Sequence, residues 1–125
     1  MQVFHEPGWH PSPKRYTWGP PYTPTVYVVG WRAERVVKVG YTMRRGRWTS
    51  FLGRGAEVIS LNFLEDGDPP GIEMWLQREI GSRHPAAFTR RNEALDMLGR
   101  GGDGYLECYR IHPGAWPTLP NGMDF

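Results

Sequence analysis

The stretch "TVYVVGWRAERVVKVGYT", Thr25 to Thr42, decides the fold. Its two halves, "TVYVVGW" and "ERVVKVGYT", are rich in β-branched and aromatic residues, the composition of a buried strand. The turn-like "WRAER" links them. A link this short joins antiparallel strands, since a parallel crossover needs about a dozen residues or more. The odd residue is Lys38, a charge inside an apolar run. It is either an outward-facing residue of a half-buried strand or a group placed for chemistry.

Downstream, "MRRGRWTSFLGRG" is broken at Gly46, and Arg47 to Leu52 reads as a short helix stopped by Gly53. "AEVISLNFLED" alternates as a third strand, with Val58, Ser60 and Asn62 facing opposite to Ile59, Leu61 and Phe63. The loop "GDPPG" leads into "IEMWLQREIGSRH", where Ile72, Trp75, Leu76 and Ile80 recur at helical spacing and Gly81 helps to end the helix. A second helix, Arg90 to Leu98, has Thr89 as its cap and Leu95 and Leu98 on its inner face. After "GRGGDG", the segment "GYLECYRI" reads as the last strand. The expected fold is α/β: a small, central, mainly antiparallel sheet flanked by helices, in the order β-β-α-β-α-α-β.

Upstream, residues 1–24 carry six prolines and five aromatics without strand or helix periodicity. They read as an extended arm wrapping the domain, because a free tail would seldom be so aromatic. The division is therefore an arm over residues 1–24, a folded domain over 25–111 and a Pro/Gly-rich tail over 112–125. At 125 residues the chain suffices for one core. No apolar run approaches the roughly 18 residues of a membrane span, and the first residues lack the apolar core of a secretory signal. A single cysteine, Cys108, excludes an intramolecular disulfide and fits a reducing, cytoplasmic setting. Within its apolar stretch it reads as a buried structural thiol. The four histidines show no ligand spacing, which argues against a structural zinc site.

Net charge is only +2, but its distribution is uneven. Between Trp31 and Gly55 seven basic residues (Arg32, Arg35, Lys38, Arg44, Arg45, Arg47, Arg54) meet one acid, Glu34. Between Ala56 and Glu79 six acids meet one base, Arg78. The basic segment is a candidate phosphate footprint, with a solvated charged face as the plain alternative.

"VYVVG", then "KVGYT", then an arginine opening a short helix, then a glutamate early in a later helix: this order resembles the GIY-YIG nuclease superfamily. It is most similar to the phage-type branch whose second triplet begins with lysine. The resemblance spans Thr25 to Ile111. It implies Tyr27 as catalytic tyrosine, with Thr25 where the family has a glycine, and Lys38-Val39-Gly40 as the second triplet. It also implies Arg47 as the phosphate-contacting arginine, with Arg44 and Arg45 as competing matches, and Glu73 as the ligand of Mg²⁺ or Mn²⁺. Nothing matches the family's asparagine or histidine after the first helix. The implied activity is metal-dependent hydrolysis of phosphodiester bonds in nucleic acid, DNA first, in a host cytoplasm if the chain is phage-derived. Arg32, Arg35, Arg44, Arg45 and Arg54 would bind the nucleic-acid backbone.

The chemistry accounts for the same residue types. Phosphodiester cleavage needs an activated water, charge stabilisation on the phosphoryl oxygens and help for the leaving alkoxide. A glutamate is a hard-oxygen ligand for Mg²⁺, and arginine offers phosphate a planar fork of donors. A tyrosine phenol titrates near ~10 in water, so it serves as a base only where nearby cations favour the phenolate. Lys38 would supply such a cation if it shares a sheet face with Tyr27. One domain carries one site, so a double-strand break would need a dimer or two successive nicks. The rival reading keeps the fold as a catalytically inactive nucleic-acid-binding or protein-interaction module. His84 is a candidate supporting group that reads more simply as part of a helix terminus.

Overall fold

A computed structural model describes residues 3–5, 22–64 and 69–116. Its centre is a five-stranded antiparallel sheet in the order β1-β4-β2-β3-β5. The strands are β1 (Val3–His5), β2 (Tyr22–Trp31), β3 (Val36–Arg44), β4 (Glu57–Leu64) and β5 (Cys108–Arg110). The helices are α1 (Arg45–Leu52), α2 (Pro69–Gly81) and the single turn α3 (Leu95–Leu98). The fold is α/β, an antiparallel sheet flanked by helices, and along the chain the elements run β1, β2, β3, α1, β4, α2, α3, β5, with 3-10 turns between α2 and β5. The tail beyond Trp116, and most of the arm, lie outside the described residues.

β2 and β3 form the expected hairpin, closed by a turn in which the Arg35 amide donates to the Arg32 carbonyl at 3.2 Å. Strand alternation splits their side chains between two apolar layers. Tyr27, Val29, Trp31 and Val36 face α1 and α3, together with Trp48, Phe51, Leu52, Ala94 and Leu98. Val26, Val28, Val37 and Val39 face α2, together with Leu76, Ile80 and Ile111. An isolated helix as short as α1 would not persist in water. It is held by Trp48 and Phe51, both buried, at about 2 kcal/mol each. Trp48 is thus a core residue.

Several local expectations are corrected. Val3–His5 is a strand on the edge of β4, although residues 1–24 show no strand periodicity; three residues are too few to display one. β2 begins at Tyr22 instead of Thr25, because its register shifts between Tyr22 and Thr25 and this irregularity accommodates Pro24. β4 does not alternate cleanly. Val28 pairs with Ser60 but Val29 with Val58, so Ile59 is the extra residue of a bulge. Val58 and Leu61 consequently share a face. Trp75 is 59% exposed and Leu95 43%, so neither is on an inner face. The helix expected over Arg90–Leu98 is a 3-10 turn, Arg91–Ala94, running into α3. Its start is tied by the Glu93 carboxylate, which accepts from the backbone amides of Thr89 and Arg90.

The last strand departs most usefully from expectation. Only Cys108–Arg110 pairs with β3, opposite Val36–Lys38. Before it, Tyr105–Glu107 makes a 3-10 turn, entered through Gly104 at φ 89°. Glu107 therefore lies beside β3 on a turn, not on a strand face.

Candidate functional site

The hairpin register answers the question raised by Lys38. Tyr27 lies opposite Gly40 and Val29 opposite Lys38, which puts Tyr27 and Lys38 diagonally on one face. Both side chains are buried, each 1% exposed. Lys38 is thus not an outward-facing strand lysine. Its Nζ stands 5.3 Å from the centre of the Tyr27 ring and 5.7 Å from that of Phe51, within cation–π range. The phenol of Tyr27 occupies the space above Gly40 that any side chain there would need.

One carboxylate faces the buried ammonium. Glu107 Oε1 accepts from Lys38 Nζ at 3.3 Å, and its Oε2 accepts from Gln77 Nε2 at 3.2 Å. Gln77 is one turn beyond Glu73 on α2, so both side chains leave the helix on the same side. Glu73 and Glu107 share a hydrogen bond, and the Glu73 carboxylate also accepts from the Tyr41 amide. Burial, then the Glu107 charge and that shared bond, push the Glu73 carboxyl up to about 7, against the opposing pull of Lys38 and the Tyr41 amide. The helix starts at Pro69, so Glu73 lies beyond its first turn and the helix dipole does not explain its position.

This shift has a consequence for stability. A carboxyl that titrates near 4.5 when unfolded and near 7 when folded binds more protons in the folded state between those values. Its contribution is complete below pH 4.5 and is lost as pH rises through 7. Glu73→Gln removes that loss. Urea unfolding is expected to find the variant level with wild type at pH 4.5 and more stable at pH 8 by about 1 to 2 kcal/mol, a figure reduced for solvent screening of a half-exposed group.

Arg47 joins the group from α1. Its guanidinium lies 5.1 Å from the Phe51 ring centre, on the ring that also borders Lys38. Nη2 donates to the Asp103 carbonyl at 3.4 Å, while Nη1 is buried and donates to no group among the described residues. Lys38 is thus the common neighbour: Tyr27 meets it directly, Arg47 across the Phe51 ring and Glu73 by way of Glu107.

The other basic residues divide. Arg44 and Arg45 sit at the junction of β3 and α1, on the Arg47 side; the Arg45 side chain lies outside the described residues. Arg32 and Arg35 belong to the hairpin turn, roughly 16 Å along β3 from Gly40. Arg32 forms a two-pronged ion pair with Glu57, at 2.7 and 3.0 Å. Arg54 follows α1 at the same end; its carbonyl accepts from Trp31 Nε1, and its guanidinium packs on Gly99 and donates to the Asp96 carbonyl. The basic run of sequence is therefore split between the two ends of the hairpin, and Arg47 shares the Phe51 ring with the buried lysine.

Cys108 is buried beneath Lys38, and burial first of all pushes its thiol up to about 12, so it stays protonated. His84 serves the end of α2: its amide donates to the Ile80 carbonyl and its Nδ1 accepts from the His112 amide at 3.2 Å. Glu107 and Gln77 were not singled out in the sequence. Gln77 carried one signal, its four-residue spacing from Glu73. Glu107 carried none, because a strand reading of "GYLECYRI" makes it an ordinary outward acid.

Among the described residues no three His, Cys, Asp or Glu side chains are grouped to hold an ion, and no helix is long and apolar enough to cross a membrane. Set beside protein-family models, curated proteins and solved structures, the chain matches none.

Proposed function

We propose that this chain is a metal-dependent endonuclease that hydrolyses phosphodiester bonds in nucleic acid, DNA before RNA, in the manner of the GIY-YIG superfamily. The observation that carries the reading is the 1%-exposed ammonium of Lys38, held between the Tyr27 ring and a carboxylate that touches Glu73. Burying an ammonium costs several kcal/mol unless it is compensated. Packing alone would favour an apolar residue at this position, so a chemical role is the better account of a lysine.

In this reading Tyr27 takes the proton of the attacking water. Lys38 sets a cation 5.3 Å from the centre of that ring. Arg47 holds the phosphate through the planar fork of donors on its half-buried guanidinium. The residues suit a hard divalent cation. Glu73 is a half-buried carboxylate whose charge is disfavoured by burial and by Glu107, and a cation beside it would offset both effects. A site with few protein carboxylates also suits Mg²⁺, which keeps several waters and takes phosphate oxygens as ligands. Held by Glu73, Mg²⁺ or Mn²⁺ would neutralise charge on the phosphoryl oxygens. Arg44 and Arg45 would extend the contact along the backbone and make binding salt-sensitive. A reducing, cytoplasmic setting belongs to the same reading, given one buried, protonated cysteine.

Plasmid nicking with Mg²⁺ or Mn²⁺ tests it. Wild type is expected to cut, with Tyr27→Phe and Glu73→Gln each at least about 100-fold slower. DNA retention without cutting under either metal would replace the enzyme by a binding module on the same fold. Neither binding nor cutting would favour a protein-interaction domain.

A further inference from the structure

We propose that Glu107 is a positioning residue of this site, acting through Lys38. The inference rests on the proposed function and adds a residue that the superfamily resemblance does not assign.

The argument starts from what surrounds the Lys38 ammonium. Two sides are ring faces, Tyr27 at 5.3 Å and Phe51 at 5.7 Å from Nζ. A third is backbone: a β-carbon on Gly104 would come 2.7 Å from Lys38 Cε and 2.9 Å from Nζ. None of these fixes the direction of an N–H bond, because ring faces attract a cation with little directional preference. Glu107 does. Its Oε1 is the hydrogen-bonded acceptor at 3.3 Å, and its other oxygen is anchored by Gln77 at 3.2 Å. The carboxylate is therefore clamped from α2 while it holds a lysine on β3. It ties the layer that contains Tyr27 to the helix that carries Glu73.

The local backbone is built for this contact. Glu107 closes a 3-10 turn in which its amide donates to the Gly104 carbonyl at 3.0 Å. Gly104 has φ 89°, a conformation that glycine adopts without strain. The same glycine thus brings the turn close against the lysine stem and aims Glu107 at its end. Without Glu107 the ammonium would keep its cage but lose its aim, and Tyr27 would lose a fixed positive charge beside its ring. The effect should fall on the chemical step and leave substrate binding largely intact.

Kinetics on purified full-length protein decide it, with melting curves confirming that each variant is folded. Glu107→Ala is expected to lower kcat about 30-fold while KM for plasmid changes less than about 3-fold. Glu107→Gln keeps an acceptor for Lys38 and should recover part of that loss. Lys38→Met combined with Glu107→Ala should be no slower than Lys38→Met alone, because residues that act through one another are not additive. Binding of Mn²⁺, followed by its paramagnetic resonance, should weaken in Glu73→Gln and stay near wild type in Glu107→Gln. Multiplying losses in the double variant, or Mn²⁺ binding that weakens equally in Glu107→Gln, would overturn the proposal, the latter by making Glu107 a metal ligand. Full activity in Glu107→Ala, with Tyr27→Phe and Glu73→Gln inactive, would overturn this inference and leave the nuclease reading standing. A wild type that does not cut removes both.

Discussion

Gly40→Ala is expected to lower the melting temperature by about 10 °C and to abolish whatever activity Tyr27 carries. The added methyl group would fall inside the Tyr27 phenol, against its Oη and Cζ. A flexible side-chain end would swing aside at little cost, but this ring is rigid and 1% exposed. It packs at 6.0 Å from the Phe51 ring and beneath the Lys38 ammonium. The ring must therefore move as a whole into a filled core, or β2 and β3 must separate. Overpacking of this kind costs about 3 kcal/mol, which for a domain of this size is the stated shift in melting temperature. Thermal denaturation followed by circular dichroism measures it. A change under about 2 °C would mean that the phenol has other space and that Gly40 is not its complement.

Lys38→Met separates stability from function in the opposite direction. Cleavage is expected to fall at least about 100-fold, while the melting temperature stays level or rises. The physical case is a balance. A buried ammonium carries a desolvation cost of several kcal/mol. Its return is one carboxylate at 3.3 Å, longer than the 2.7–2.9 Å of a strong charged bond, and two ring faces. Methionine matches most of the lysine stem and brings no charge. Glu107 is 34% exposed and can be hydrated once its partner is gone, so the variant leaves no stranded buried charge. Parallel nicking and melting measurements test both halves. A loss of more than about 5 °C would make Lys38 a structural residue.

The hairpin was legible because two β-rich runs flank a short turn, and its register then fixes Tyr27, Lys38 and Gly40 by alternation alone. α2 was legible from its apolar spacing, although its start at Pro69 and the outward turn of Trp75 were not, since an exposed tryptophan at helical spacing looks like a core one. The bulge at Ile59 could not be read because a bulge depends on the partner strand. Glu107 was hidden for a related reason. Its place depends on where β5 stops, which is set by the left-handed backbone around Gly104 and by contact with Lys38, residues far apart in sequence. The basic run is divided by the fold in a way its linear order does not show: the hairpin carries Arg32 and Arg35 to one end and Arg44 and Arg45 to the other.

The shortness of β5 has a further effect on the molecule in solution. Among the described residues no strand pairs with β3 beyond Lys38 on that side, so the backbone from Val39 to Arg44 borders the sheet. An open margin of this kind invites a strand from a neighbouring molecule. Here the Tyr41 amide is taken by the Glu73 carboxylate, and the Glu107 carboxylate stands beside it. A like strand arriving along that margin would meet an occupied donor and an identical set of charges. The acids beside the buried lysine thereby also discourage the chain from associating edge to edge with copies of itself.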